Sequence, residues 1–175
     1  MALIPRFMVI GDLGLFDSPD QWLAQLARVA RALVGVQGAM LQVRTKGQTA
    51  SAANNLVGRA LAAMHEAIEN GLQVVRNGNI RTYGYVGVHL PQQELEALER
   101  VDTLRPGTIG ASVHDPDSRA HAARLGLDYV IASPVFTPTW KPVPGRGVDW
   151  LAGMARPGDV PVLALGGVTP QRVAA

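Results

Sequence analysis

The alternation of short β-rich runs with longer amphipathic segments is the feature that most restricts the fold of this 175-residue chain. The runs are rich in Val, Ile and Leu, and the segments between them carry apolar residues at helical spacing. Strands that alternate with helices indicate βαβ units around a parallel sheet. Seven strands are predicted, at Phe7–Ile10, Met40–Arg44, Leu72–Arg76, Val86–Leu90, Thr108–Val113, Tyr129–Ala132 and Val162–Leu165.

Boundary residues support the helices between these strands. Ser18 followed by Pro19 predicts the start of the first helix, and Gly71 predicts the end of the second, which begins in the run TASAANN. Asp115 opens a later helix that Gly126 closes. The runs QQELEALERV and VDWLAGMA are also predicted as helices, whereas the segment 78–85 is expected to hold a short helix or none.

Repeated βα units of uneven length favour an α/β fold of the TIM (β/α)8 barrel type over an open doubly wound sheet. No linker or low-complexity tract divides the sequence, so a single domain over residues 1–175 is expected. The chain reaches Ala175 just inside the predicted seventh helix, so the eighth βα unit is not in it. A truncated chain is the expected explanation.

Composition narrows the range of functions. There are no cysteines, which excludes disulfides, thiolate metal sites and cysteine nucleophiles. The formal net charge is only +2 and the basic residues are scattered, so no nucleic-acid partner is expected. No apolar run is long enough for a membrane span and no secretory signal opens the chain, so no membrane partner and a cytoplasmic location are expected.

The fifth predicted strand ends in a histidine. Because side chains alternate along a strand, Ser112 and His114 point away from Ile109 and Val113, and toward the barrel interior. His114 would lie at the C-terminal mouth, where barrel enzymes keep their sites, and its imidazole is suited to proton transfer. A structural histidine that caps the following helix is an equal alternative.

Two other strand ends suit anion binding. Gln42 and Arg44 share a face of the second strand, and Lys46 lies just beyond it. Gly166 and Gly167 end the seventh strand, where glycines let backbone N–H groups approach a phosphate. Exposure to solvent is the alternative for Lys46.

The segment 133–147 is a long, proline-rich connection. Loops of this length often act as lids. Lys141 and Arg146 are candidates to close over an anionic ligand, and a rigid structural loop is the alternative.

Several of these motifs resemble the superfamily that joins thiamine phosphate synthase with the thiazole tautomerase of thiamine biosynthesis. The resemblance runs from the first strand to the chain end. It is densest in LQVRTK, VVRNGNI, GVHLPQ, GASVHDPD, DYVIASPVFTPTWK, GRGVDWL and PVLALGGVTPQRV.

The resemblance favours the tautomerase branch. The synthase couples a pyrimidine pyrophosphate with a thiazole phosphate and holds magnesium through two acidic positions, which are Gly78 and Glu94 here. Pro138 and Trp140 stand where the synthase has threonines. The short runs NG, SVH and GRGV agree with the tautomerase, an isomerase that aromatises a carboxythiazole phosphate without a metal or other cofactor.

This resemblance implies roles for the candidate residues. His114 becomes the catalytic proton shuttle, and the phosphate meets Gly166 and Gly167. The expected partner is a small phosphorylated thiazole, with a homodimer possible. The other substrate-binding residues implied are Gln42, Arg44, Lys46, Asn77, Ser112 and Lys141.

Two alternatives remain open. One is a thiamine phosphate synthase, which would require magnesium. The other is a non-catalytic protein that binds a thiazole or thiamine phosphate.

Overall fold

A computed structural model describes residues 5–78, 86–101, 107–139, 142–155 and 159–173. Within them the chain forms two compact units, the first ending at His89 and the second beginning at Leu90. Both units consist of strands that alternate with helices, and every strand pair in each unit is parallel. The α/β class predicted from the sequence is therefore confirmed.

The first unit pairs its strands in chain order. Strand β1 pairs with β2, β2 with β3, and β3 with β4, all in parallel. A short 3-10 helix, Leu13–Leu15, follows β1. The elements are β1 (Phe7–Asp12), α1 (Pro19–Leu33), β2 (Ala39–Arg44), α2 (Ala50–Ala63), α3 (His65–Glu69), β3 (Gln73–Asn77) and β4 (Gly87–Leu90).

Helix α1 packs closely over β1. Ser18 caps the helix by accepting from the Gln21 amide, as its sequence position predicts. Trp22 is fully buried, and its indole N–H donates to the Gly11 carbonyl at 3.1 Å. A Cβ at Gly11 would lie 2.3 Å from a methyl carbon of Leu26, so only glycine permits this approach. Burial of a side chain such as Leu26 stabilises the fold by about 2 kcal/mol.

The second unit continues the same alternation. Strand β5 pairs with β6, and β6 with β7, again in parallel. Its elements are α4 (Gln92–Glu96), β5 (Ile109–Val113), α5 (Pro116–Arg124), β6 (Tyr129–Ala132), α6 (Val148–Met154), β7 (Val162–Ala164) and α7 (Pro170–Val173).

The middle of this unit is packed around an aromatic ring. Gly110 of β5 stands beside Tyr129 of β6, and a Cβ at Gly110 would lie 2.1 Å from a ring carbon of Tyr129. Burial raises the pKa of the Tyr129 hydroxyl. Ile109 and Val113 are fully buried, which fits the alternation predicted for this strand.

Two acidic residues contact helix α5. Asp115 lies at its start, and Asp159 lies in the loop before β7. Asp115 caps α5 by accepting from the amide and the hydroxyl of Ser118, each at 2.7 Å. Partial burial raises the pKa of Asp115, but hydrogen bonds from Ser118 and Gln92 outweigh it and lower the pKa below its usual value. Arg119 is buried and forms an ion pair with Asp159.

The structure differs from the predicted elements in its helices. All seven predicted strands are present, with ends shifted by no more than a few residues. The helix predicted over QQELEALERV ends at Glu96, where the Leu98 amide donates to the Leu95 carbonyl at 3.1 Å in a turn of the 3-10 type. The second predicted helix is divided at Met64 before it reaches Gly71, whose φ is +92°.

Two further predictions concern the segment 78–85 and membrane-spanning helices. The segment 78–85, which was expected to hold a short helix or none, lies almost wholly outside the described residues. In the portion of the chain that is described, no helix combines the length and apolar character required to span a membrane.

Strand β4 carries a buried histidine. His89 is 2% exposed, and burial lowers the pKa of its imidazole from 6.5 to about 4. The ring is therefore neutral at ordinary pH.

We predict that acid destabilises the protein through His89. Below pH 6.5 the unfolded chain takes up a proton that the folded ring accepts only near pH 4. The free energy of unfolding should therefore fall by about 3 kcal/mol across this window, from the shift in pKa alone. An NMR titration checks the cause directly, since the His89 ring should titrate near pH 4. Titration of this ring near pH 6.5 would contradict the prediction.

Candidate functional site

A cavity opens at the carboxyl ends of β6 and β7 in the second unit. Its volume is about 340 Å³. The described residues that line it include no acidic side chain, so the lining favours an anion over a cation. The polar and glycine residues of this lining are Thr137, Thr139, Gly166, Gly167, Thr169 and Arg172.

Two backbone segments meet at the base of this cavity. The Val135 amide donates to the Leu165 carbonyl at 2.8 Å, and the Phe136 amide donates to the Gly166 carbonyl at 2.9 Å. These bonds continue the pairing of β6 and β7 beyond the strand ends. The segment after β6 is thereby held directly against the double glycine.

The double glycine is required by both conformation and space. Gly166 has φ +96° and Gly167 has φ +60°, in the region that side chains disfavour. A Cβ at Gly166 would lie 2.8 Å from the Pro134 Cα, and one at Gly167 would lie 2.8 Å from the Thr137 carbonyl oxygen. Both predicted phosphate-binding glycines therefore line the cavity through backbone that no other residue type would fit.

Arg172 was not predicted from the sequence. It lies in the single turn of α7, where its guanidinium donates to the Gly167 carbonyl at 2.6 Å and lies 4.7 Å from the center of the Phe136 ring. These contacts fix a positive charge on the wall of the cavity. The only sequence signal for Arg172 was its position shortly after the double glycine. The conformation of the intervening residues must be known before that position places the guanidinium over the glycines.

The long loop after β6 folds back on itself. The Gly145 amide donates to the Thr137 hydroxyl at 3.1 Å, and the Gly147 amide donates to the Val135 carbonyl at 2.9 Å. The Arg146 guanidinium lies 5.2 Å from the center of the Trp150 ring and is not among the residues that line the cavity. Lys141, predicted to bind substrate, lies outside the described residues.

His114 lies at the end of β5 with an exposed side chain. Its Nδ1 is 2.7 Å from the Ser133 carbonyl oxygen. Because a carbonyl only accepts, Nδ1 carries the proton, and Nε2 of the neutral ring is left as an acceptor. Ser112, two residues earlier, is half-buried, and neither residue lines the cavity described above.

The first unit holds the remaining predicted site residues at the ends of its strands. Gln42 is buried within β2, whereas Lys46 is exposed in the turn after it. Arg44, at the last position of β2, forms an ion pair with Asp12, at the last position of β1. Asp12 was missed because the first strand was predicted to end at Ile10.

Asn77 and Gly78 both bond to one carbonyl. The Asn77 side-chain amide donates to the His89 carbonyl oxygen at 3.2 Å, and the Gly78 amide donates to the same oxygen at 3.1 Å. This pair of residues therefore connects β3 to β4. A structural role accounts for the pair without reference to any reaction.

Comparison with known proteins identifies the family. The family model described as thiamine monophosphate synthase, TMP-TENI, matches residues 16–175. The chain belongs to this family. A solved thiamine phosphate pyrophosphorylase from Pyrococcus furiosus matches 93% of this chain and 75% of its own, with a TM-score of 0.62 and 22% identity. This likeness shows that the two chains share a fold.

Several relatives of this chain are named thiamine-phosphate synthase. The thiamine-phosphate synthase of Rhizobium etli is 31% identical over 98% of this chain and 79% of its own length. That of Koribacter versatilis is 27% identical over 95% of this chain and 79% of its own length. That of Methanoregula boonei is 41% identical, over 52% of this chain and 44% of its own length.

The predicted thiazole tautomerase, and with it the isomerase class, is wrong. The relatives are named as synthases, which are transferases. The prediction relied on short local runs. One of them, Asn77-Gly78, is explained by its two bonds to the His89 carbonyl. The match over nearly the whole chain carries more information than these runs.

The magnesium expected of a synthase does not fit the residues present. Gly78 has no side-chain oxygen at the position where the family carries an acidic ligand. Glu94 is exposed, and among the described residues no three or more His, Asp or Glu side chains are grouped as a metal site. The described residues therefore do not supply the magnesium ligands expected of a synthase.

We predict that Gly166→Ala destabilises the protein more than Gly126→Ala. Both positions have positive φ, but only at Gly166 would the new Cβ meet backbone, while nothing lies within 4 Å of one at Gly126. The free energy of unfolding should fall by about 3 kcal/mol in Gly166→Ala, from backbone strain plus collision. It should fall by about 1 kcal/mol in Gly126→Ala, from backbone strain alone. Thermal unfolding of both variants measures the difference, and equal losses would show that the two segments are not in contact.

Proposed function

We propose that this chain is a transferase of thiamine biosynthesis that couples a pyrimidine pyrophosphate to a thiazole phosphate, giving thiamine phosphate and pyrophosphate. The observation that carries the proposal is the thiamine-phosphate synthase of Rhizobium etli, which is 31% identical over 98% of this chain. The acid-free cavity with its double glycine supports it, because both substrates are anions.

The coupling needs anion binding more than proton transfer. The carbon–oxygen bond between the pyrimidine methylene and pyrophosphate breaks, and pyrophosphate leaves with the electron pair. The lone pair of the thiazole nitrogen forms the new carbon–nitrogen bond, so no proton moves between the reacting atoms. Cations and N–H donors that bind the departing charge supply the catalysis.

This chemistry reassigns the candidate residues. Arg44 and Lys46 are proposed to bind the pyrophosphate of the pyrimidine substrate, as cations at the end of β2. Gly166 and Gly167 are proposed to bind the thiazole phosphate through backbone N–H groups. His114 is proposed to contact the substrate through a hydrogen bond at Nε2 and not to act as a proton shuttle.

The remaining predicted contacts keep a binding role. Ser112 and Gln42 are proposed to orient the rings of the substrates through their polar side chains. Asn77 is proposed to do so through its Oδ1, because its Nδ2 donates to the His89 carbonyl.

The direct test supplies both substrates to the purified chain, with magnesium and separately with a chelator. We expect thiamine phosphate and pyrophosphate in equal amounts, and no product when either substrate is omitted. Mass spectrometry measures the first product and a coupled phosphate assay measures the second. Failure to form product in both conditions, or binding of thiazole phosphate without turnover, would overturn the proposal.

We predict that Arg172→Gln weakens binding of the thiazole phosphate. Removal of a charge-assisted contact in the cavity should raise the KM for this substrate roughly ten-fold, with kcat almost unchanged. Arg124→Gln is the matched control, because Arg124 is an exposed helical arginine that does not line the cavity. Steady-state kinetics of both variants separates them, and an unchanged KM for Arg172→Gln would remove this residue from the site.

A further inference from the structure

A charged pair lies across the ends of β1 and β2. Asp12 and Arg44 are register partners in this parallel pair, and an Asp12 carboxylate oxygen, Oδ2, accepts from Arg44 Nη1. Both residues occupy the last position of their strand, at the edge where α/β folds place their ligands. Arg44 is also the residue proposed above to bind pyrophosphate.

The carboxylate of Asp12 is itself held in place. Its second oxygen, Oδ1, accepts from the Gly14 amide at 3.1 Å and caps the 3-10 helix Leu13–Leu15. Each oxygen therefore has its own donor, and rotation of the carboxylate would break one bond or the other. Backbone geometry fixes Asp12, and Asp12 in turn fixes the guanidinium of Arg44.

Stability alone does not account for this arrangement. The two side chains are only 28% and 21% exposed, so both charges lose part of their hydration, and that cost offsets much of their attraction. An unrestrained arginine side chain, however, samples many rotamers. One hydrogen bond to Asp12 removes most of that freedom and leaves the other N–H groups available.

We propose that Asp12 is a positioning residue that aims the Arg44 guanidinium at the pyrophosphate of the pyrimidine substrate. The proposal rests on the proposed function. Asp12 does not touch the substrate in this proposal. Its negative charge alone would repel the pyrophosphate. The anion then approaches Arg44 from the side that Asp12 leaves open.

Charge and orientation make opposite predictions for one substitution. Asp12→Ser removes the negative charge but keeps a good capping oxygen for the Gly14 amide. If charge dominated, the variant would bind anions more tightly. If Asp12 orients Arg44, the KM for the pyrimidine pyrophosphate should rise about five-fold and kcat should fall, because Arg44 binds the pyrophosphate both in the substrate and as it departs, while the KM for thiazole phosphate stays unchanged.

A double-mutant cycle shows whether the effect passes through Arg44. Arg44→Lys keeps the charge but loses the planar fork that Asp12 orients. Adding Asp12→Ser to Arg44→Lys should then raise the KM no further. An additive effect would mean that Asp12 acts independently of Arg44, and would overturn the proposal.

The matched control is another ion pair of the same unit. Asp20→Asn breaks the exposed Asp20–Arg59 pair, whose atoms are 2.6 Å apart, near the start of α1. This variant should leave both KM values unchanged. Circular dichroism of all variants establishes that they fold.

Binding of inorganic pyrophosphate separates failure of this proposal from failure of the proposed function. Calorimetry should show weaker binding to Asp12→Ser than to the parent chain, whether or not the chain turns over. Coupling by the parent chain with an equal or lower KM in Asp12→Ser would overturn the role of Asp12 and leave the function standing. Absence of coupling, with pyrophosphate binding still weakened by Asp12→Ser, would overturn the function and leave the role of Asp12 standing. Unchanged or tighter pyrophosphate binding would overturn the role of Asp12 in either case.

Discussion

Parallel pairing of the strands is the constraint on which the candidate site residues depend. Because neighbouring strands run in one direction, their carboxyl ends come to the same edge within each unit. This brings Asp12 beside Arg44 in the first unit. In the second unit it sets the segment after β6 against the double glycine after β7, and the backbone bonds between them form the base of the cavity.

The strands could be predicted from the sequence because they are buried. A strand covered on both faces shows as a continuous apolar run, and β2 is buried over its first five positions. The segments after helices were harder to predict, since distant contacts hold them. The Leu98 carbonyl, two residues beyond the end of α4, accepts from the His121 ring, which is far from it in the sequence.

The candidate site was predicted only in part for a similar reason. Gly166 and Gly167 could be found because a double glycine after a strand has a local meaning. Asp12 and Arg172 could not, because each matters through a partner that the fold supplies, Arg44 for one and the Gly167 carbonyl for the other. The predicted reaction type was wrong because a two-residue run such as Asn77-Gly78 can be explained by strand pairing as well as by a role in a reaction.

The ring of Tyr129 occupies the space that a side chain at position 110 would fill. The Tyr129 side chain of β6 therefore fills the space that Gly110 of β5 leaves empty. Only one of the two positions can hold a large side chain. A family member that carries a larger residue at position 110 is expected to carry a smaller one at position 129. We expect this packing to leave covariation between the two positions among relatives.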